Sequence, residues 1–109
     1  MSGTIEGLGP FHDQTGTLEI YELTFENNNQ SGFHTHPGPA YVVVTKGTLL
    51  EDKGCGVTVE HPAGSAFQEE PGEVHNVTNG GHEAVKLYVM QLVPLDTPDF
   101  TEVDPPACK

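Results

Sequence analysis

The stretch that decides the fold is GFHTHPGPAYVVVTKG, residues 32–47. Residues 40–45, Ala-Tyr-Val-Val-Val-Thr, form a β-branched and aromatic run too short for a helix and well suited to a pleated strand. Turn chemistry brackets it, with Pro37-Gly38-Pro39 before and Lys46-Gly47 after. The same alternation continues outward in both directions. Residues 18–25 read as a strand, followed by the polar loop 26–32. Residues 48–50, 57–59, 66–69, 74–78 and 84–93 read as further extended segments. They are separated by turns at 52–56, 62–65, 71–72 and 79–81. Turn signals recur about every 8–10 residues, the spacing of an all-β sandwich or barrel. The 13 Gly and 9 Pro among 109 residues agree with many short strands joined by tight turns.

A chain of this length suits one compact domain, expected here to span residues 1–109, and buries limited apolar area. Residues 1–16 read as a turn-rich arm with at most one short edge strand, residues 17–93 as the barrel, and 94–109 as a Pro- and acid-rich tail that wraps the surface or hangs loose. Sixteen acidic residues against four basic ones leave a formal charge of -12. Such a surface repels phosphate backbones and anionic lipids, so neither nucleic acid nor membrane is an expected partner. No apolar run reaches the ~18 residues of a membrane span. The N-terminal residues show no basic segment followed by an apolar one, although a mature exported protein would lack that segment as well.

The chemistry lies in the histidines. His34-Thr35-His36 is extended, and the strand period of two puts both imidazoles on one face with Thr35 on the other. Two imidazoles so placed can converge on one ion at about 2.0–2.2 Å from each nitrogen. Taken alone, an H-x-H pair is a weak signal.

A second stretch, GSAFQEEPGEVHNVTN at residues 64–79, supplies His75. With residues 32–47 it resembles the two sequence motifs of the cupin superfamily, over roughly residues 17–93. In the first, His34-x-His36 precedes Pro37-Gly38-Pro39 and a Val-rich strand ending at Gly47. In the second, Gly64, Gly72, His75 and Asn79 stand at the family's intervals. In particular the chain resembles small exported bacterial cupins of a single domain. The resemblance implies an antiparallel jelly-roll β-barrel whose histidines point inward and hold one divalent transition metal ion, Fe, Mn, Zn, Ni, Cu or Co. It thereby gives His75 a reason to meet His34 and His36.

The chain departs from the family pattern at three places. Asn28 replaces a glycine six residues before His34, and Asn tolerates turn conformations too. Glu70 holds the usual place of the second motif's proline, which falls at Pro71. Most consequentially, the glutamate ligand of the first motif would fall at position 40, where this chain has Ala40. Glu69 is the expected replacement. It shares a strand face with Phe67, whereas Glu70 has the opposite parity, and some small cupins with a similar Phe-x-Glu look built this way.

The expected metal set is therefore His34, His36, Glu69 and His75. Val42 and Val44 should face inward, with Tyr88 and Gln91 as lining groups. His12, His61 and His82 are expected to be solvated, His12 lying in an arm able to cap a barrel mouth. Asn79 is expected to serve a turn. The glycosylation sequons at Asn29 and Asn76 are read as chance. Cys55 and Cys108 can pair or stay free on composition alone. The resemblance favours a Cys55–Cys108 disulfide pinning the tail, and with it a periplasmic or extracellular location. The alternative is two free thiols in a cytoplasmic protein. The expected function is a metal-dependent dioxygenase or isomerase/lyase acting on a small polar molecule. The alternative is a non-catalytic module binding metal or a small ligand. The expected partners are that small molecule and a second copy of the chain in a homodimer.

Overall fold

A computed structural model describes residues 2–6 and 15–108, so His12 lies outside the described residues. The described residues form ten strands: β1 (Ser2–Glu6), β2 (Thr15–Phe25), β3 (His34–Thr35), β4 (Ala40–Lys46), β5 (Thr48–Gly54), β6 (Val57–Pro62), β7 (Ala66–Glu69), β8 (Asn76–Thr78), β9 (Val85–Pro94) and β10 (Thr101–Glu102). Every pairing is antiparallel. One sheet has the order β1-β2-β9-β4-β7, a second β6-β5-β8, and a third joins β10 to β3. This is the jelly-roll arrangement, with no helix among the described residues.

Period-two patterning places the core between the sheets. Val42 and Val44 of β4 and Val85, Leu87 and Val89 of β9 point inward from the five-stranded sheet. Leu49 of β5 and Val77 of β8 meet them from the three-stranded one. The same parity sends Tyr88 outward, where it is 46% exposed, while Gln91 is buried. Tyr88 is therefore no lining group, contrary to expectation. The residues sit three apart on one strand, so both could not face inward without a bulge between them.

The ends of the chain are more ordered than their composition suggests. β1 adds an edge strand to β2. Beyond β9 the tail crosses the barrel, where β10 pairs with β3 through Thr101↔Thr35 and Glu102↔His34. The Val103 amide also donates to the Phe33 carbonyl at 3.1 Å. The tail thus wraps the surface. Its far end is held by the Cys55–Cys108 disulfide, with Cα atoms 5.5 Å apart. Cys55 occupies the β5–β6 turn, preceded by Gly54 at φ 85°. A Cβ on Gly54 would stand 2.8 Å from the Pro106 ring, so this glycine also makes room for the tail.

Candidate metal centre

His34 and His75 are joined at the backbone before their side chains meet. The His34 amide donates to the His75 carbonyl at 2.9 Å, and the His75 amide to the His34 carbonyl at 3.2 Å. This isolated bridge fixes the two residues side by side across neighbouring segments. Asn76 secures the approach, because its Oδ1 accepts from the Gly32 amide at 3.0 Å and its Nδ2 donates to Gln30 at 2.8 Å. A side chain buried and engaged in this way offers no acceptor for a glycan.

Four predicted residues come together in the interior. One ligand atom from each of His34, His36, Glu69 and His75 can be chosen so that all lie within 4.8 Å of one another, and all four residues are buried. His75 is fully buried, with its Nε2 3.1 Å from His34 Nε2. Glu69 Oε2 is in ion-pair contact with His75 Nε2 and lies 3.9 Å from His36 Nε2. The register explains how Glu69 reaches the place of the ligand missing at position 40. Ala40 pairs directly with Glu69 on one side and with Gln91 on the other. Glu69 therefore stands one strand sideways from position 40, on the same inward face.

Each imidazole is held from behind. His34 Nδ1 lies 2.8 Å from the Gly32 carbonyl, and His36 Nδ1 lies 2.8 Å from the Asp99 carbonyl in the tail. A carbonyl only accepts, so these bonds put the proton on Nδ1 and leave the Nε2 lone pair facing the cluster. His75 Nδ1 faces Glu51 Oε2 at 3.2 Å, so a proton on that nitrogen would point at the carboxylate and leave Nε2 open. Phe100 of the tail stacks on His34 with centroids 4.4 Å apart. Three lone pairs and a carboxylate oxygen that makes no hydrogen bond thus face one another in a buried space. Such a set is costly without a cation among its members and suits a divalent ion of the imidazole-binding kind.

The electrostatics favour the ligand form at His34 and His36 and the protonated form at Glu69 and His75. Burial pushes His34 down to about 4, so it stays neutral through the physiological range. Burial likewise lowers His36. Burial raises Glu69 to about 7, with Glu51 and Glu73 adding to the shift and His75 opposing it. Burial disfavours charge on His75, but Glu51, Glu69 and Glu73 together hold it above the usual imidazole range.

The family assignment rests on sequence. The profile of the cupin domain matches residues 21–91, well over half of the chain. The chain belongs to the cupin family. Among solved structures, this cupin is similar to a double-stranded β-helix protein from Klebsiella pneumoniae, with a TM-score of 0.65, 22% identity, and coverage of 80% of this chain and 75% of the other. It is also similar to a cupin-like protein from Thermotoga maritima, with a TM-score of 0.71, 16% identity, and coverage of 95% and 75%. A third similar structure is the polyketide cyclase RemF from Streptomyces resistomycificus, with a TM-score of 0.69, 22% identity, and coverage of 80% of this chain but 61% of that one. An oxalate oxidase in complex with glycolate, matched at 19% identity with a TM-score of 0.66, covers 79% of this cupin and 46% of its own length. No protein of curated function matches the sequence.

Other expectations divide. His82 is exposed and Asn79 serves its turn, donating to the Phe25 and Glu83 carbonyls at 2.9 and 2.8 Å. His61, expected in solvent, is buried instead. It is stacked on Phe67 with centroids 3.7 Å apart and bonded to Glu51 at 2.9 Å. Sequence reading missed Glu51, Asp99 and Phe100. For Glu51 a signal existed, since it shares strand parity with the buried Leu49.

Proposed function

We propose that this cupin holds one divalent transition metal ion through the Nε2 atoms of His34, His36 and His75 and a carboxylate oxygen of Glu69. The observation that carries the reading is the shared orientation of the three imidazoles, each backed at Nδ1 so that its lone pair faces the others. An ion there polarises a carbonyl or takes part in dioxygen chemistry.

The protein's own part is to bind and exclude water. A cavity of about 60 Å³ adjoins His34, His36 and Glu69, with Tyr21, Phe25, Val42, Phe67 and Val89 among its apolar walls. One water needs about 10–15 Å³, so the space takes a compact ligand of a few heavy atoms. Apart from His34, His36 and Glu69, the polar side chains lining the cavity are those of Tyr21 and Ser31. Burial pushes the Tyr21 phenol up to about 12, which makes it a poor proton donor. A site short of acids and bases is better suited to dioxygenation of a chelating substrate than to proton-shuttling isomerisation. The same shortage favours the second reading, a non-catalytic binding module. The disulfide supports an exported location.

Oxygen uptake by protein loaded in turn with Fe or Mn tests the reading. The panel comprises small diketones, catechol, oxalate and glycolate. Uptake with one class supports the enzyme, and ligand binding without uptake supports the module. Metal content no higher than that of a control protein overturns both.

The carboxylate assignment has its own test. Glu69→Ala should weaken metal binding by at least the ~10–100-fold that loss of an outer partner costs. Adding Ala40→Glu should restore much of it, because the two positions are directly opposed on one face. Equal affinity in Glu69→Ala and wild type, by competition with a chromogenic chelator, removes Glu69 from the set.

A further inference from the structure

Of the three histidines, His75 alone is backed by a charged group. His34 and His36 lean on the carbonyls of Gly32 and Asp99. His75 Nδ1 instead lies 3.2 Å from Glu51 Oε2, within ion-pair distance but outside hydrogen-bond geometry, and neither atom has a hydrogen-bond partner among the described residues. The other oxygen of Glu51 is taken by His61 Nε2 at 2.9 Å, and the His61 ring is stacked on Phe67. Glu51, His61 and His75 are all buried. They arise from three segments: Glu51 from β5, His61 from its hairpin partner β6, and His75 from the residue before β8. The hairpin pairs Leu49 with His61. That register brings the imidazole to the inward-facing Glu51, two residues further along β5.

A buried carboxylate is costly to desolvate, and the two imidazoles beside it, one for each oxygen, offset that cost. Here it makes a chain from the surface hairpin to the centre. We propose that Glu51, held by His61, is the positioning residue of the metal centre. It keeps the proton of His75 on Nδ1 and makes His75 the strongest donor of the three imidazoles. The inference rests on the metal reading above, but the tautomer can be measured without any ion.

Glu73 Oε1 also approaches His75 Nδ1, at 3.6 Å, so Glu51, Glu73 and His75 could themselves be taken for a second cation site. The two arrangements are mutually exclusive, because Nδ1 cannot carry a proton toward Glu51 and a metal at once.

The test uses the full chain with its disulfide intact, in wild type, Glu51→Gln and His61→Phe. Long-range ¹⁵N–¹H correlation on the metal-free protein reads the His75 tautomer. Competition with a chromogenic chelator reads the zinc affinity. Wild type should show Nδ1–H at His75. Glu51→Gln should shift His75 toward the Nε2–H form and weaken zinc about 10–100-fold, the usual cost of losing an outer-shell partner. His61→Phe keeps the stack on Phe67 and frees only the other Glu51 oxygen, so it should give a smaller loss in the same direction. It also serves if Glu51→Gln does not fold. An unchanged His75 tautomer in the folded variants overturns the proposal, as does wild-type zinc affinity in them. Two zinc ions per chain overturn it in favour of the second site. If wild-type protein binds no zinc, the metal reading fails, and the tautomer shift still decides the role of Glu51.

Discussion

Alanine in place of His75 is expected to abolish the proposed metal binding and leave the protein much less stable. His75 is fully buried, with Glu69 in contact with its Nε2 and Glu51 3.2 Å from its Nδ1. Removing it deletes one ligand and strands two buried carboxylates without their shared partner. Losing an outer-shell group typically costs 10–100-fold in affinity, so loss of the ligand itself should exceed about 100-fold. Breaking a buried ion pair from one side costs about 3–5 kcal/mol. At about 4–8 °C per kcal/mol for a domain of this size, the melting temperature should fall by more than about 12 °C. Elemental analysis after purification without added metal, with thermal melts in the presence and absence of a chelator, measures both effects. The metal assignment is wrong if wild type and His75→Ala retain the same metal and the chelator leaves the wild-type melt unchanged.

The second large effect concerns the disulfide. Cys55 and Cys108 are separated by 53 positions. The chain-entropy treatment values closure of such a loop at about 4 kcal/mol. That is a large share of the ~5–15 kcal/mol that holds a typical domain together. Paired Cys55→Ser and Cys108→Ser substitutions should therefore lower the urea midpoint strongly. They should also loosen the metal centre, because the tail they release carries the Asp99 carbonyl behind His36 and the Phe100 ring on His34. A fall of about tenfold in metal affinity is expected from losing these outer contacts. Equal midpoints would mean that the strand pairing of β10 with β3 holds the tail unaided. An unchanged affinity would show that the tail does not support the histidines.

The two effects draw on different information. His34 and His36 were legible because strand parity places alternate residues on one face. The same parity ranks Glu69 above Glu70, and the structure buries the first and exposes the second. That reasoning fails where a side chain's setting depends on another strand. His61 has few buried neighbours in its own strand, and only its pairing with β5 brings it to Glu51. Glu51 falls between the extended segment 48–50 and the turn at 52–56, although its parity with Leu49 was a signal. Phe100 and Asp99 lie in a stretch whose composition gives no hint of the contacts it makes across the barrel.

What the sequence by itself determined is local. Turn chemistry and β-branched runs set the strands, and spacing within the two motifs identifies the cupin family and its histidines. What only the tertiary structure decided is which groups face one another across strands. The opposition of Ala40 and Glu69 explains how a site lacking its usual carboxylate can regain one. The Gly32 carbonyl behind His34 and the tail's Asp99 carbonyl behind His36 set the proton positions of those imidazoles, and Glu51 stands 3.2 Å from the Nδ1 of His75. The reason is physical: strand period acts along a few residues of one segment. Register, crossing and burial depend on segments tens of residues apart that meet only in the folded barrel.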